Sequence, residues 1–193
     1  GDRTSCAGSI NAQRAPGVIA IVGETGGAGT AAANVPIVVD SLDDAATLFA
    51  TVTAGTVTPT KLYTAIKIAL LQDPQPSKIY AVKVDGTNYD AALAALEAAD
   101  DVTFVSLAGI TAAATLAKLK DHAEQMSAAG HKRLAVMMVD PTITKTATYV
   151  TTVNDALTGT PNLKSSVSRV IMIAASGAVD DDGGSADTAT AAM

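Results

Sequence analysis

Short, largely apolar runs, most of them followed by a stretch with helical spacing, set the pattern of this chain. Val18-Ile19-Ala20-Ile21-Val22 stops at Gly23, and residues 36–39, 78–85, 102–107, 134–139 and 169–175 repeat the motif. A strand that is apolar along its whole length needs cover on both faces, the condition of a mainly parallel sheet between two layers of helices. The intervening stretches supply the helices. Ser41-Leu42-Asp43-Asp44 has the form of a capping box and opens a helix to about Ala50. Thr58-Pro59 reads as an N-cap followed by the first helical residue, with Leu62, Ile66, Ala69 and Leu70 on one face and Pro74 and Pro76 beyond the end. Residues 88–99 form an Ala/Leu-rich helix. Residues 111–129 place Leu116, Leu119, Ala123 and Met126 on one side and stop at Gly130. Residues 146–157 carry Val150, Val153 and Leu157 and stop at Gly159. With right-handed crossovers this predicts an α/β fold, a three-layer α/β/α sandwich. Residues 1–15 are polar and read as an arm or linker, and 16–177 form the core. Residues 178–193 form an acidic loop and a beginning helix with no stop signal, so this reading places the chain's end inside a domain.

Composition narrows the function classes. A chain of 193 residues suffices for one domain, which at this size buries roughly 70% of its unfolded surface. Charged residues are 17% and hydrophobic ones 48%, which excludes a disordered chain. With two Phe, four Tyr and no Trp, the core must be aliphatic, and base stacking on aromatic platforms is disfavoured. The net charge is −6 and no basic run exceeds His131-Lys132-Arg133, whereas a nucleic-acid binder needs a basic stripe. A single cysteine, Cys6, leaves no internal disulfide framework or four-cysteine zinc site and fits a reducing compartment. No apolar run reaches the ~18 residues of a membrane span, and residues 1–15 lack the layout of a signal peptide. The expectation is a soluble, unexported chain.

Each chemical motif has a simpler structural explanation. Gly23-Glu24-Thr25-Gly26-Gly27-Ala28-Gly29-Thr30 follows a strand, but no Lys follows Gly29 as a phosphate loop requires. Gly27-x-Gly29-x-x-Ala32 matches a relaxed dinucleotide fingerprint, yet Pro36 arrives too soon for a crossover helix, so a surface loop is expected over 24–34. Asp40, Asp85 and Asp140 each follow a predicted strand, where an open α/β sheet binds ligands and carboxylates hold Mg²⁺. Asp is equally at home in strand-to-helix turns and N-caps. Asp180-Asp181-Asp182-Gly183-Gly184 lacks the ligand spacing of an EF-hand and reads as a solvated turn. His122 and Asp121 are adjacent on a helix and so do not face each other. His131 sits at a helix C-terminus, where a cation favours the dipole. No nucleophile, base, cofactor-binding or metal-ligating set emerges, and the chain is not expected to be an enzyme.

The order of segments carries a resemblance. Pro16-Gly17-Val18 leads into a strand ending Val22-Gly23. A Gly-rich turn and Val35-Pro36-Ile37-Val38-Val39 follow, then a helix from Ser41-Leu42-Asp43-Asp44 to Phe49. Next come Leu62-Tyr63-Thr64-Ala65-Ile66 and the strand Ile79-Tyr80-Ala81-Val82-Lys83-Val84. Residues 102–109, His122-Ala123-Glu124 and 133–140 continue the series, which spans about 16–177. This is similar to the tail sheath proteins of contractile phage tails and related injection systems, with Ile21 where the family often has Phe and Lys83 where it often has Arg. The resemblance implies part of a larger multi-domain virion structural protein. Its subunits would form hexameric rings stacked helically around a tail tube, joined by terminal arms that add strands to neighbouring sheets. Contraction would drive the tube through the target envelope. The implied partners are sheath neighbours, the tail tube protein, and baseplate and tail terminator proteins, with assembly in the host cytoplasm. Two alternatives stand beside it: a small-ligand or Mg²⁺-binding enzyme domain using Asp40, Asp85 and Asp140, and a non-contractile tail adaptor or terminator.

Overall fold

A computed structural model describes residues 17–174. The expected arm at 1–15 and the acidic loop and helix at 178–193 lie outside the described residues. In chain order, β1 is Val18–Gly23, β2 Pro36–Val38, α1 Leu42–Phe49, β3 Thr51–Thr53 and β4 Thr56–Thr58. These are followed by α2 Lys61–Leu70, β5 Lys78–Lys83, α3 Tyr89–Ala95, β6 Phe104–Leu107 and α4 Ala113–Ala128. The last three are β7 Leu134–Met138, α5 Tyr149–Thr158 and β8 Val170–Ile173. A single 3-10 turn, Leu96–Ala98, extends α3.

The main sheet has six strands in the order β2-β5-β1-β6-β7-β8, all parallel except β2, which runs antiparallel to β5 at one edge. Leaving β2 aside, the chain visits second place, first, third, fourth and fifth, a doubly wound order. The α/β sandwich read from the apolar runs is the fold observed. Alternation along β1 divides the interior in two. Ile21 joins Phe49, Leu62, Ile66 and Ile79 under α1 and α2. Val22 faces the opposite way, with Val82, Leu96, Val105, Leu119 and Met137 beneath α3 and α4. Leu157 of α5 lines the same pocket as Leu116 of α4 and Met172 of β8, so α5 lies on that second face.

Several boundaries differ from the sequence reading, each for a local reason. Thr58 is not a helix cap: it ends β4, because the residue before a proline is driven to extended backbone. It pairs with Thr51 in a hairpin that was not expected, turned by Ala54 (φ 49°) and Gly55 (φ 80°). The cap of α2 is Thr60, whose hydroxyl accepts from Tyr63 N–H at 3.1 Å and donates to the Phe49 carbonyl at 2.7 Å. Thr60→Ala should therefore lose about 1.5–2 kcal/mol, the cap plus an unsatisfied carbonyl, and Thr60→Ser less than half of that, read from urea midpoints. Helix α5 begins at Tyr149, three residues later than expected, and Val150 is 78% exposed; Val153 is the side chain it buries. Ser41 does cap α1, accepting from Asp44 N–H at 3.1 Å.

One layer is incomplete. Helices α1 and α2 cover only the β2-β5-β1 half of their face, so Phe104, Val136, Ile171 and Ile173 line an apolar groove of about 380 Å³ over β6, β7 and β8. The expectation of cover on both faces holds for β1 and β5, and among the described residues it fails for the outer strands.

Candidate functional site

In a doubly wound sheet, ligands bind beyond the strand carboxyl ends where the strand order reverses, here between β1 and β6. The Gly-rich loop lies at that edge, and its backbone is already committed elsewhere. Thr30 N–H donates to the Thr47 carbonyl and Ala31 N–H to the Leu48 carbonyl, both at 3.1 Å. Ala50 N–H reaches Ala46 and Thr60 takes Phe49, so all four terminal carbonyls of α1 have donors. The loop is a C-terminal cap for α1, delivered from another part of the chain. Gly29 makes this approach possible: at φ +73° an added Cβ would stand 2.1 Å from the Leu48 oxygen. The element after the loop is β2, not a helix whose N-terminus could hold a phosphate.

Tyr89, Glu24 and Lys83 at this edge are likewise engaged internally. Tyr89 donates to Glu24 Oε1 at 3.0 Å, tying the start of α3 to the end of β1. Burial, and then this bond, push the phenol pKa up. Lys83 Nζ donates to the Ala28 carbonyl at 3.1 Å. The Thr25 hydroxyl is buried with no hydrogen-bond partner.

The three aspartates do not converge. Because β2 is antiparallel, Asp40 follows Val39, which bonds to Ile79 near the start of β5, and so lies at the opposite edge of the sheet from Asp85. This corrects its expected position. Asp85 and Asp140 follow β5 and β7, with β1 and β6 between them, a lateral gap of ~14 Å at normal strand spacing. Asp140 closes its own turn, accepting from Thr142 N–H at 2.8 Å and Thr142 Oγ1 at 2.6 Å, and these bonds hold its carboxyl below the ordinary range. Among the described residues no group of three or more His, Cys, Asp or Glu side chains is placed to hold a metal ion. Cys6 and Asp180–Asp182 lie outside them.

The chain matches none of the known protein families or curated proteins with which it was compared. No helix among the described residues is long and apolar enough to cross a membrane.

The most elaborate polar cluster lies inside the protein. Arg133 is fully buried, and its guanidinium donates to the Leu96 carbonyl at 3.1 Å, the Ala99 carbonyl at 2.5 Å and His122 Nε2 at 3.0 Å. A guanidinium has no acceptor, so His122 Nε2 must carry a lone pair and the ring is neutral. Burial first, and the Arg133 charge second, lower the His122 pKa from 6.5 to about 4. The sequence reading counted Arg133 within the short basic run His131-Lys132-Arg133 and weighed the chemistry of His122 only against Asp121. The available signal was spacing: 119, 122 and 126 share one helical face, so His122 belongs beside Leu119 and Met126. His131 pairs instead with Asp100 across 3.3 Å at the surface.

This arrangement predicts a pH dependence. The unfolded chain takes up the His122 proton near pH 6.5, and the folded chain resists until about 4. Between those values the unfolded state binds more protons, so stability is complete above 6.5 and falls as pH drops towards 4. The loss should be on the order of 2–3 kcal/mol. Denaturant unfolding at pH 7.5 and 4 should show it in the wild type and much less of it in His122→Gln, whose amide oxygen accepts from Arg133 without titrating.

Proposed function

We propose that this chain is the α/β core of a contractile-tail sheath subunit, a structural protein that polymerises in hexameric rings around a tail tube and contracts. The observation that carries the reading is where the resembling segments lie. Residues 18–23, 36–49, 62–66 and 79–84 are separated in sequence, yet they build one connected half of the sandwich. That half is β2-β5-β1 with α1 and α2, packed around Ile21, Val39, Phe49, Leu62, Ile66 and Ile79. The series behaves as a structural unit in which the polar groups hold loops and helix ends in place. Such a unit suits rigid-body motion between two packings. Moving subunits from 1:99 to 99:1 between two states needs about 5.5 kcal/mol, a scale that interface repacking reaches.

Electron microscopy of the chain, expressed alone and with its tail tube protein, tests this. Hollow tubes or stacked rings are the expected result. A protein that stays monodisperse and monomeric in every condition would overturn it, and single rings capping tubes would favour a tail terminator. Mg²⁺ and nucleotides should leave the melting temperature unchanged, since a site filled at 100 times its Kd adds about 2.7 kcal/mol.

A further inference from the structure

The turn that joins β5 to α3 carries a reactive pair. Asp-Gly occurs at 85–86 and at 182–183, and Asn-Gly nowhere in the sequence. The second pair lies outside the described residues. Asp85 and Gly86 are both exposed. Among the described residues neither the Asp85 carboxylate nor the Gly86 N–H has a hydrogen-bond partner, and nothing lies within 4 Å of a Cβ added to Gly86. The turn is held at its two ends, where Val84 N–H donates to the Gly23 carbonyl at 2.9 Å and Asn88 N–H to the Asp85 carbonyl at 3.0 Å. Other aspartates lack this freedom. Asp73 and Asp140 precede prolines, which have no N–H. The N–H groups after Asp43 and Asp44 go to Ser41, and the one after Asp90 goes to Asn88 Oδ1.

We propose that Asp85 is a site of spontaneous isomerisation to isoaspartate. The Gly86 nitrogen attacks the Asp85 Cγ, a C–N bond forms, and a carboxyl oxygen leaves with the amide proton as water. The product is a five-membered succinimide, which a water molecule then opens. Breaking the bond from the nitrogen to the original backbone carbonyl carbon leaves the chain running through the Asp85 side chain, with a new α-carboxylate. Breaking the newly formed bond restores aspartate. The water lost in the first step is returned in the second, so no other reactant is needed. Glycine permits the closure, because a Cβ would crowd the attacking nitrogen. Isoaspartate adds one methylene to the backbone ahead of Asn88, whose side chain caps α3, and removes the carbonyl that holds Asn88 N–H from the main chain. Ageing at this turn therefore loosens the start of α3 and the Tyr89 bond to Glu24 that follows it. The proposal is independent of whether the chain polymerises.

Incubation of the full chain at physiological temperature and neutral pH, followed by an isoaspartyl methyltransferase and tryptic mapping, tests it. The enzyme should add a methyl group to the new α-carboxylate in the tryptic peptide 84–118, in an amount that rises with incubation time. A peptide that stays unlabelled would overturn the proposal. Asp85→Glu should abolish the label there, since closure would then need a six-membered ring. Label that persists in Asp85→Glu would overturn the proposal in favour of another residue of that peptide. A second readout asks what the fold contributes. The initial rate in the folded chain should lie within about tenfold of that in an isolated peptide of residues 82–90, as expected where no hydrogen bond has to open first. A rate roughly a hundredfold below the peptide's would show that the folded turn protects the pair, and would reject the site.

Discussion

Replacing Arg133 with methionine should cost the folded chain about 3–5 kcal/mol, seen as a fall of roughly 10 °C in melting temperature. The side chain is completely buried and supplies the donors for the Leu96 and Ala99 carbonyls, the end of the helical segment after α3. A cation at a helix carboxyl end is favourable, and these carbonyls have no water to turn to once it is gone. Burial lowers the guanidinium pKa, and the fields of Asp100, Glu97 and Asp101 act in the opposite direction, helping to keep it charged. Methionine fills much of the volume, so the loss isolates the polar contribution. Arg133→Lys should recover a part of it, since an ammonium reaches one carbonyl but lacks the fork that spans two. A methionine variant as stable as the wild type would show that the cluster is dispensable for the fold.

Gly29→Ala should be comparably damaging, at about 3 kcal/mol or more, although it adds one methyl group to a surface loop. The methyl would meet the Leu48 oxygen at 2.1 Å, and the backbone is in the left-handed region at φ +73°. The loop must then withdraw and release the Thr47 and Leu48 carbonyls of α1. Gly26 is the internal control: it is also left-handed, at φ +60°, but nothing lies within 4 Å of an added Cβ. Gly26→Ala should cost only about 1–2 kcal/mol, the conformational term alone. Equal effects at both positions, measured by urea unfolding, would reject the role of the loop as a helix cap. A ligand loop would instead lose binding at both positions with little change in stability.

The fold class was legible because it depends on residue-scale periodicity. Six short, largely apolar runs separated by stretches of helical spacing point to a mainly parallel sheet flanked by helices, and the six strands of the main sheet appear at those runs. Ser41 and Gly130 marked helix ends correctly, since caps act within one turn of their own position. The hairpin at 51–58 was passed over because Thr58-Pro59 imitates a helix start, and Ala54-Gly55 is an uncommon pair for its tight turn. Whether the chain forms a contractile layer rests on the resemblance and on the assembly experiment.

What the sequence determined by itself was the alternation of strand and helix, since each side chain's preference for water or apolar cover is local. Only the tertiary structure decided which way β2 runs, and with it the separation of Asp40 from Asp85 and Asp140. It also turned a glycine-rich loop that resembles a nucleotide fingerprint into the cap of α1, and drew Arg133 from a basic run into the core. These outcomes depend on which distant carbonyl meets which donor, a matter of register and crossing that no local preference encodes.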